Sequence, residues 1–273
     1  MERSVLITGA GSGIGLASAL EAGRLGFRPV AAVHRADQVD DVTRAATDAG
    51  VDVATEVLDV TDERTAAAVI DRVAPWALVN NAGYMNAGLI EDVPIDDVRR
   101  QYEVMVFAPI RLAQLALPGM RRRGGGRIVN ISSAVQGLAL PFQGWYDAAK
   151  HALSAASDAL RTEVTRYGVD VVVVEPGAIA TPLWAGARAE VRQRQADAVD
   201  PAPYEDAVTM IDEMRAQAGD VDEVGRVVGD VLHAGHPRYR YRVGAGSVGL
   251  SVAAQLVPTS VRDTVTRALG GLR

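Results

Sequence analysis

Short β-branched runs alternate along the chain with longer amphipathic ones. Ser4–Gly9, Arg28–Arg35, Val53–Asp59, Ala77–Gly83, Gly126–Ser133, Val169–Gly177 and Arg238–Gly244 read as seven strands. Helical spacing of apolar positions marks stretches such as Ile14–Leu25, Arg64–Val73, Asp96–Arg122 and Tyr146–Tyr167. The strand runs are nearly continuous Val and Ile, as expected of strands buried on both faces in a parallel sheet. Alternation with helices then requires right-handed crossovers and predicts a doubly wound α/β architecture. No linker, composition break or fixed-period repeat divides residues 1–273, which predicts a single domain. Pro182–Val221 interrupts the rhythm, being richer in Gln, Asp, Arg and Pro. It follows a strand end and is expected to form short helices over a cleft, covering a substrate.

Composition narrows the function classes. Hydrophobic residues make up 48% and charged ones 23%, which is ample for a core in a globular chain. The formal net charge of −6 argues against a nucleic-acid partner, which needs a basic field. There is no cysteine, hence no disulfide framework and no thiolate site. Four scattered histidines give no metal-ligand spacing. The opening M-E-R-S-V-L-I-T-G has no apolar leader core, and a cytoplasmic location is expected. Val243–Val261 carries no formal charge, but its three glycines, proline, glutamine and hydroxyls suit a packed or surface segment better than a membrane span.

Candidate chemistry begins at Thr8–Gly15, T-G-A-G-S-G-I-G, between the first strand and the first helix. Small residues let a phosphate approach the backbone, and the helix that follows aims its amides and positive dipole end at it. Gly9, Gly11, Ser12, Gly13, Ile14 and Gly15 are therefore candidate cofactor contacts. Gly244–Gly249, G-A-G-S-V-G, matches the generic dinucleotide pattern more literally. No further strand follows to complete a βαβ unit there, and it is read as a turn. About twenty residues beyond the first loop, at the end of the second strand, a ribose-reading residue is expected. His34 and Arg35 stand there rather than an acid. A guanidinium pairs with a 2′-phosphate, so NADP is expected over NAD, although Asp37, two positions later, is an alternative reader. Finally, W-Y-D-A-A-K sets Tyr146 and Lys150 one helical turn apart on one face, where an ammonium would favour the phenolate.

With T-G-A-G-S-G-I-G, N-N-A-G and Y-D-A-A-K in this order, the chain resembles the short-chain dehydrogenases/reductases over nearly its whole length. N-N-A-G-Y, V-E-P-G-A-I-A-T and R-Y-R-Y-R-V-G bring it nearest the subgroup acting on steroids, retinoids and other lipophilic carbonyls. The resemblance implies a Rossmann fold with a mostly parallel seven-stranded sheet and an oxidoreductase interconverting a small-molecule carbonyl and alcohol. It places Asp59 and Val60 at the adenine, Asn80, Ala82 and Gly83 beside the cofactor, and Pro176, Gly177, Ile179 and Thr181 around the nicotinamide. Ser133, thirteen residues before Tyr146, completes a catalytic set of Ser133, Tyr146 and Lys150, the last two also touching cofactor. In that set Tyr146 is the general acid, its pKa lowered by Lys150, and Ser133 stabilises charge on the same oxygen. A homodimer or homotetramer through the long helices is also implied.

One position departs from the family. Met105 stands in Y-E-V-M-V-F-A where an asparagine usually holds a relay water, and a thioether has no donor. Either another group holds that water and the enzyme works, or the chain is a weakly catalytic nucleotide sensor on the same scaffold. A hydrolase is remote, because no G-x-S-x-G follows a strand.

Overall fold

Consecutive strand residues go to opposite faces of a sheet, and each face here acquires its own core. In the computed structural model, which describes residues 3–134, 139–244 and 258–269, the first strand β1 (Ser4–Thr8) sends Val5 and Ile7 to one face and Leu6 to the other. The chain continues through α1 (Gly13–Arg24), β2 (Arg28–Val33), α2 (Gln38–Ala49), β3 (Ala54–Val57), α3 (Glu63–Val73) and β4 (Ala77–Asn80). Next come α4 (Ile95–Tyr102), a π-turn (Glu103–Phe107), α5 (Ala108–Arg122), β5 (Gly126–Ile131), α6 (Gly144–Val164) and β6 (Val169–Pro176). Last are α7 (Leu183–Asp197), α8 (Ala202–Ala216), α9 (Val221–His233), β7 (Arg240–Val243) and α10 (Thr259–Leu269).

The seven strands lie in the order β3-β2-β1-β4-β5-β6-β7, and every neighbouring pair is parallel. On one face Val5, Ile7, Ala31, Val79, Val129 and Val172 meet α1 and α9. On the other, Leu6, Val30, Leu78, Ile128 and Val171 meet α3 and α5. Double-sided burial is the reason the strands are apolar throughout.

The expected helix over Asp96–Arg122 is broken by the π-turn. Pro109 has no N–H to give the carbonyl four residues back, which belongs to Met105, so α-helical bonding cannot run straight through. The register slips by one residue, and the Ala108 amide donates to the Glu103 carbonyl instead. Pro182–Val221 also differs from the short helices expected. It forms two fifteen-residue helices, α7 and α8, packed against each other. Most of the glycine run Gly244–Gly249 lies outside the described residues.

Candidate active site

Open α/β sheets bind ligands outside the carboxyl ends of their strands, where strand order reverses. Here that point falls between β1 and β4. A cavity of about 820 Å³ opens there, lined by the turns after β1, β4, β5 and β6, by α6, and by the α7–α8 hairpin.

The turn after β1 needs glycine twice over. Gly13 has φ +56°, a region other residues rarely adopt, and a Cβ on Gly15 would lie 2.5 Å from the Gly9 carbonyl oxygen. Ser12 caps α1 in an extended conformation without spending its side chain on the cap. Gly9, Ser12, Gly13 and Ile14 line the cavity. Gly11 sits under the Gln38 side chain and Gly15 is packed against the turn, so neither lines it. A close-set backbone running into the N-terminus of a twelve-residue helix fits the diphosphate of a dinucleotide.

The N-N-A-G turn is fastened to this one. Thr8 Oγ1 accepts from the amides of Asn81 at 3.0 Å and Ala82 at 3.1 Å. Asn81 Nδ2 donates back to the Thr8 and Gly9 carbonyls. Asn81, Ala82 and Gly83 line the cavity. Asn80, expected beside the cofactor, points into the interior instead, donating to Asn130 Oδ1 at 2.8 Å and the Pro109 carbonyl at 3.2 Å.

Pro176, Gly177, Ile179 and Thr181 line the cavity from the β6 side. Arg35, Asp59 and Val60 do not. The Arg35 guanidinium is exposed and forks onto Asp37, with Nε 3.0 Å from Oδ1 and Nη2 3.2 Å from Oδ2. Slight burial pushes the Asp59 carboxyl up, but bonds from the Thr61 amide and hydroxyl and the charge of His34 outweigh it, leaving a net lowering.

Ser132, Ser133, Tyr146 and Lys150 all line the same cavity. Ser132 is buried, sharing a 2.8 Å hydrogen bond with Ser154 Oγ and donating to the Lys150 carbonyl at 3.2 Å; Ser133 is more exposed. Lys150 Nζ donates to the Ile131 carbonyl at 2.8 Å and lies 5.6 Å from the centre of the Tyr146 ring. Burial pushes the Lys150 ammonium down to about 8. Burial raises the Tyr146 phenol well above its ordinary value, with the charge of Asp147 adding to it. That is opposite to the lowering by Lys150 expected from the spacing: desolvation of the phenolate outweighs the neighbouring cation.

Met105 is fully buried in the π-turn, among Val106 and Ala149, with Tyr102 and Tyr146 at its edge. It fills the space behind Gly83, whose Cβ would meet Met105 Cγ at 3.4 Å.

The short chain dehydrogenase family matches residues 3–192. The chain belongs to that family. This short-chain dehydrogenase is 32% identical to the NADPH-dependent 3-dehydrocapnine reductase of Ornithobacterium rhinotracheale, over 72% of this chain and 71% of that one. It is also 32% identical to human retinol dehydrogenase 5, over 96% of this chain and 86% of the relative. A crystal structure of a short-chain dehydrogenase from Streptomyces avermitilis superimposes with a TM-score of 0.79 at 29% identity, covering 98% and 96% of the two chains. The protein is thus an oxidoreductase on the NAD(P)-binding fold of this family. Among the described residues no group of side chains could hold a metal ion, and no helix is long and apolar enough to cross a membrane.

Several residues that shape this dehydrogenase's site escape sequence reasoning. Asp147, next to Tyr146, is buried and accepts from the Leu140 amide at 2.9 Å and Gln143 Nε2 at 3.3 Å, strapping the loop before α6. Burial pushes its carboxyl up to about 7. Arg194 on α7 donates to the Ala87 carbonyl, Asn86, Asp97 and Glu190. Tyr204 on α8 donates to Asp92 at 2.6 Å and meets Phe142 edge-on at 5.4 Å. The α7–α8 cover is therefore pinned at two points to the segment after β4. None of these residues carries a motif; only the folded chain brings them together.

Proposed function

We propose that the protein is an NADP-dependent reductase of lipophilic ketones or aldehydes, with Tyr146 as general acid. One observation carries the reading: Ser133, Tyr146 and Lys150 line the same cavity as the phosphate-sized turn of Gly9, Ser12 and Gly13. The turn and the start of α1 hold the diphosphate, while Pro176, Gly177, Ile179 and Thr181 border the nicotinamide. When bound, the nicotinamide supplies a hydride to the carbonyl carbon. Tyr146 gives its hydroxyl proton to the carbonyl oxygen, and Ser133 donates a hydrogen bond to the same atom as negative charge develops. Ser133 suits this role better than Ser132 because it is the more exposed of the two, Ser132 being buried. Lys150 supplies positive charge beneath the reacting oxygen, held in place by the Ile131 carbonyl.

Burial keeps the Tyr146 phenol protonated at neutral pH, so its proton is in place for reduction, although a phenol raised in this way is also a weaker acid. NADP over NAD is supported by Arg35, which can exchange the Asp37 carboxylate for a 2′-phosphate, and by the NADPH-dependent relative. Leu183, Trp184 and Met214 give the cavity an apolar cover suited to lipophilic substrates. Assembly into a homodimer or homotetramer through α5 and α6 belongs to the same reading; Phe107 stands half exposed at the head of α5.

The test is NADPH oxidation with aliphatic, cyclic and steroid-like ketones, run beside NADH. Turnover with NADPH, strongly slowed by Tyr146→Phe, is expected. Turnover with NADH alone removes the Arg35 reasoning. Tight NADPH binding without turnover favours a nucleotide sensor, the reading that Met105 supports.

A further inference from the structure

The reductase reading leaves open what the far end of the cavity recognises. Leu183, Gly186 and Glu190 fall at i, i+3 and i+7 of α7, so one face of that helix presents all three to the cavity. A Cβ on Gly186 would meet nothing within 4 Å, which leaves room along the face between Leu183 and Glu190. Across from it α8 contributes Met214, the turn after α8 contributes Gln217, and the segment after β4 contributes Tyr84 and Met85.

Glu190 is the one acidic residue lining the cavity among those described, and its side chain is 40% exposed at the rim. It is also held in place. Its Oε2 accepts from Arg194 Nη2 at 3.1 Å, and the same guanidinium nitrogen bonds Asp97 at 3.0 Å and Asn86. No hydrogen bond to Oε1 is donated by the described residues. Arg194 is itself nine-tenths buried and does not line the cavity, so of this pair it is the Glu190 carboxylate that the cavity presents to a ligand. The only cation lining the cavity among the described residues is Lys150, which the reductase reading places at the reacting end.

We propose that Glu190 selects carbonyl substrates carrying a hydrogen-bond donor, a hydroxyl or an ammonium, at the end away from the carbonyl, and excludes those ending in a carboxylate. The apolar middle of the cavity takes the body of the substrate. The oriented, unoccupied Oε1 takes the donor. An anionic end meets the Glu190 carboxylate, while the Arg194 guanidinium behind it is buried and already bonded to Asn86, Asp97 and Glu190. Half-exposed charges interact weakly, so attraction of a cation and repulsion of an anion together separate the two by roughly tenfold, equivalent to about 1.4 kcal/mol.

The inference rests on the carbonyl-reductase reading, and the experiment keeps the two apart. Four para-substituted acetophenones, bearing methyl, hydroxymethyl, aminomethyl or carboxylate groups, are compared by kcat/KM with NADPH. Their binding to the NADPH-loaded protein is measured separately by calorimetry. The aminomethyl compound is expected to exceed the carboxylate about tenfold in both readouts, with the uncharged hydroxymethyl compound between the two. Glu190→Gln keeps an acceptor for Arg194 and should bring the aminomethyl-to-carboxylate ratio to within about threefold. Glu190→Lys should invert it. Turnover with no charge order, or an order that survives Glu190→Gln, overturns the role of Glu190 alone. Charge-ordered binding without turnover supports Glu190 and overturns the reductase reading. No binding of any of the four overturns both.

Discussion

Asp147 should make the protein less stable as pH rises through neutrality, and Asp147→Asn should remove that dependence. The carboxyl is buried in the first turn of α6, and its proton is held up to a pKa of about 7 against an ordinary 3.8. The bonds from the Leu140 amide and Gln143 favour the ionised form, but burial outweighs both. A carboxyl whose native pKa lies above its unfolded value works against folding once the unfolded chain has ionised. Between 3.8 and about 7 the unfolded state gives up its proton while the native state keeps it, so native stability falls with pH throughout that window and then levels. Counting from pH 5, about two pH units of this gap remain at roughly 1.4 kcal/mol each, close to 3 kcal/mol by pH 8.

Asparagine has no proton to lose, and its amide oxygen can still accept from Leu140. Urea unfolding of both proteins at pH 5, 6, 7 and 8, read as the difference between them, cancels every other titrating group. The wild type should lose roughly 3 kcal/mol relative to the variant across that range, or about 6–10 °C in Tm for a chain of this size. Parallel stability curves, agreeing within about 0.5 kcal/mol at all four values, would refute the account of Asp147 as a buried, proton-retaining carboxyl.

Tyr146→Phe should lower kcat by roughly 10²–10⁴, the usual contribution of a general acid, with NADPH affinity and the circular dichroism spectrum unchanged. Asp37→Ala should free Arg35 and lower the KM for NADPH severalfold while that for NADH stays put; equal effects on both would separate Arg35 from the 2′-phosphate. Met105→Asn should raise turnover by restoring an amide at the relay position, yet lower stability by about 1–3 kcal/mol, because the site is fully buried; a fall in both would leave Met105 as packing alone. Lys150 titrates near 8 with a lowered pKa, so reduction should slow above that pH as its charge is lost, whereas a reductive kcat/KM that climbs from pH 7 to 9 would remove Lys150 from the chemistry.

How far the sequence foretells this structure depends on whether a residue's role is set locally. The sheet was legible because double-sided burial leaves a mark on every strand residue: V-V-V-V in β6 has no solvent face to report. The break in the helix around Met105 was not read, although Pro109 already dictated it through its missing N–H. The α7–α8 hairpin is longer than the sequence suggests because its charges resemble loop composition. In the fold those charges face one another, Arg188 on Asp212 and Arg192 on Glu205, so a polar sequence closes into two regular helices.

The site divides along the same line. Glycine positions and the Tyr146–Lys150 spacing are constraints of one turn each, and they converge on one cavity as the motifs imply. The protonation states are a different matter, because desolvation is the sum of everything packed around a group and no spacing encodes it. Spacing alone argued that Lys150 pulls the Tyr146 phenol down; burial pushes the phenol up and the ammonium down instead. The consequence is chemical. On the proposed mechanism Tyr146 holds its proton, and Lys150, at neutral pH still mostly charged, would face an oxygen that becomes anionic only as the carbonyl is reduced. The cation is therefore better matched to the transition state than to the resting phenol, and binding that strengthens toward the transition state is what accelerates a reaction.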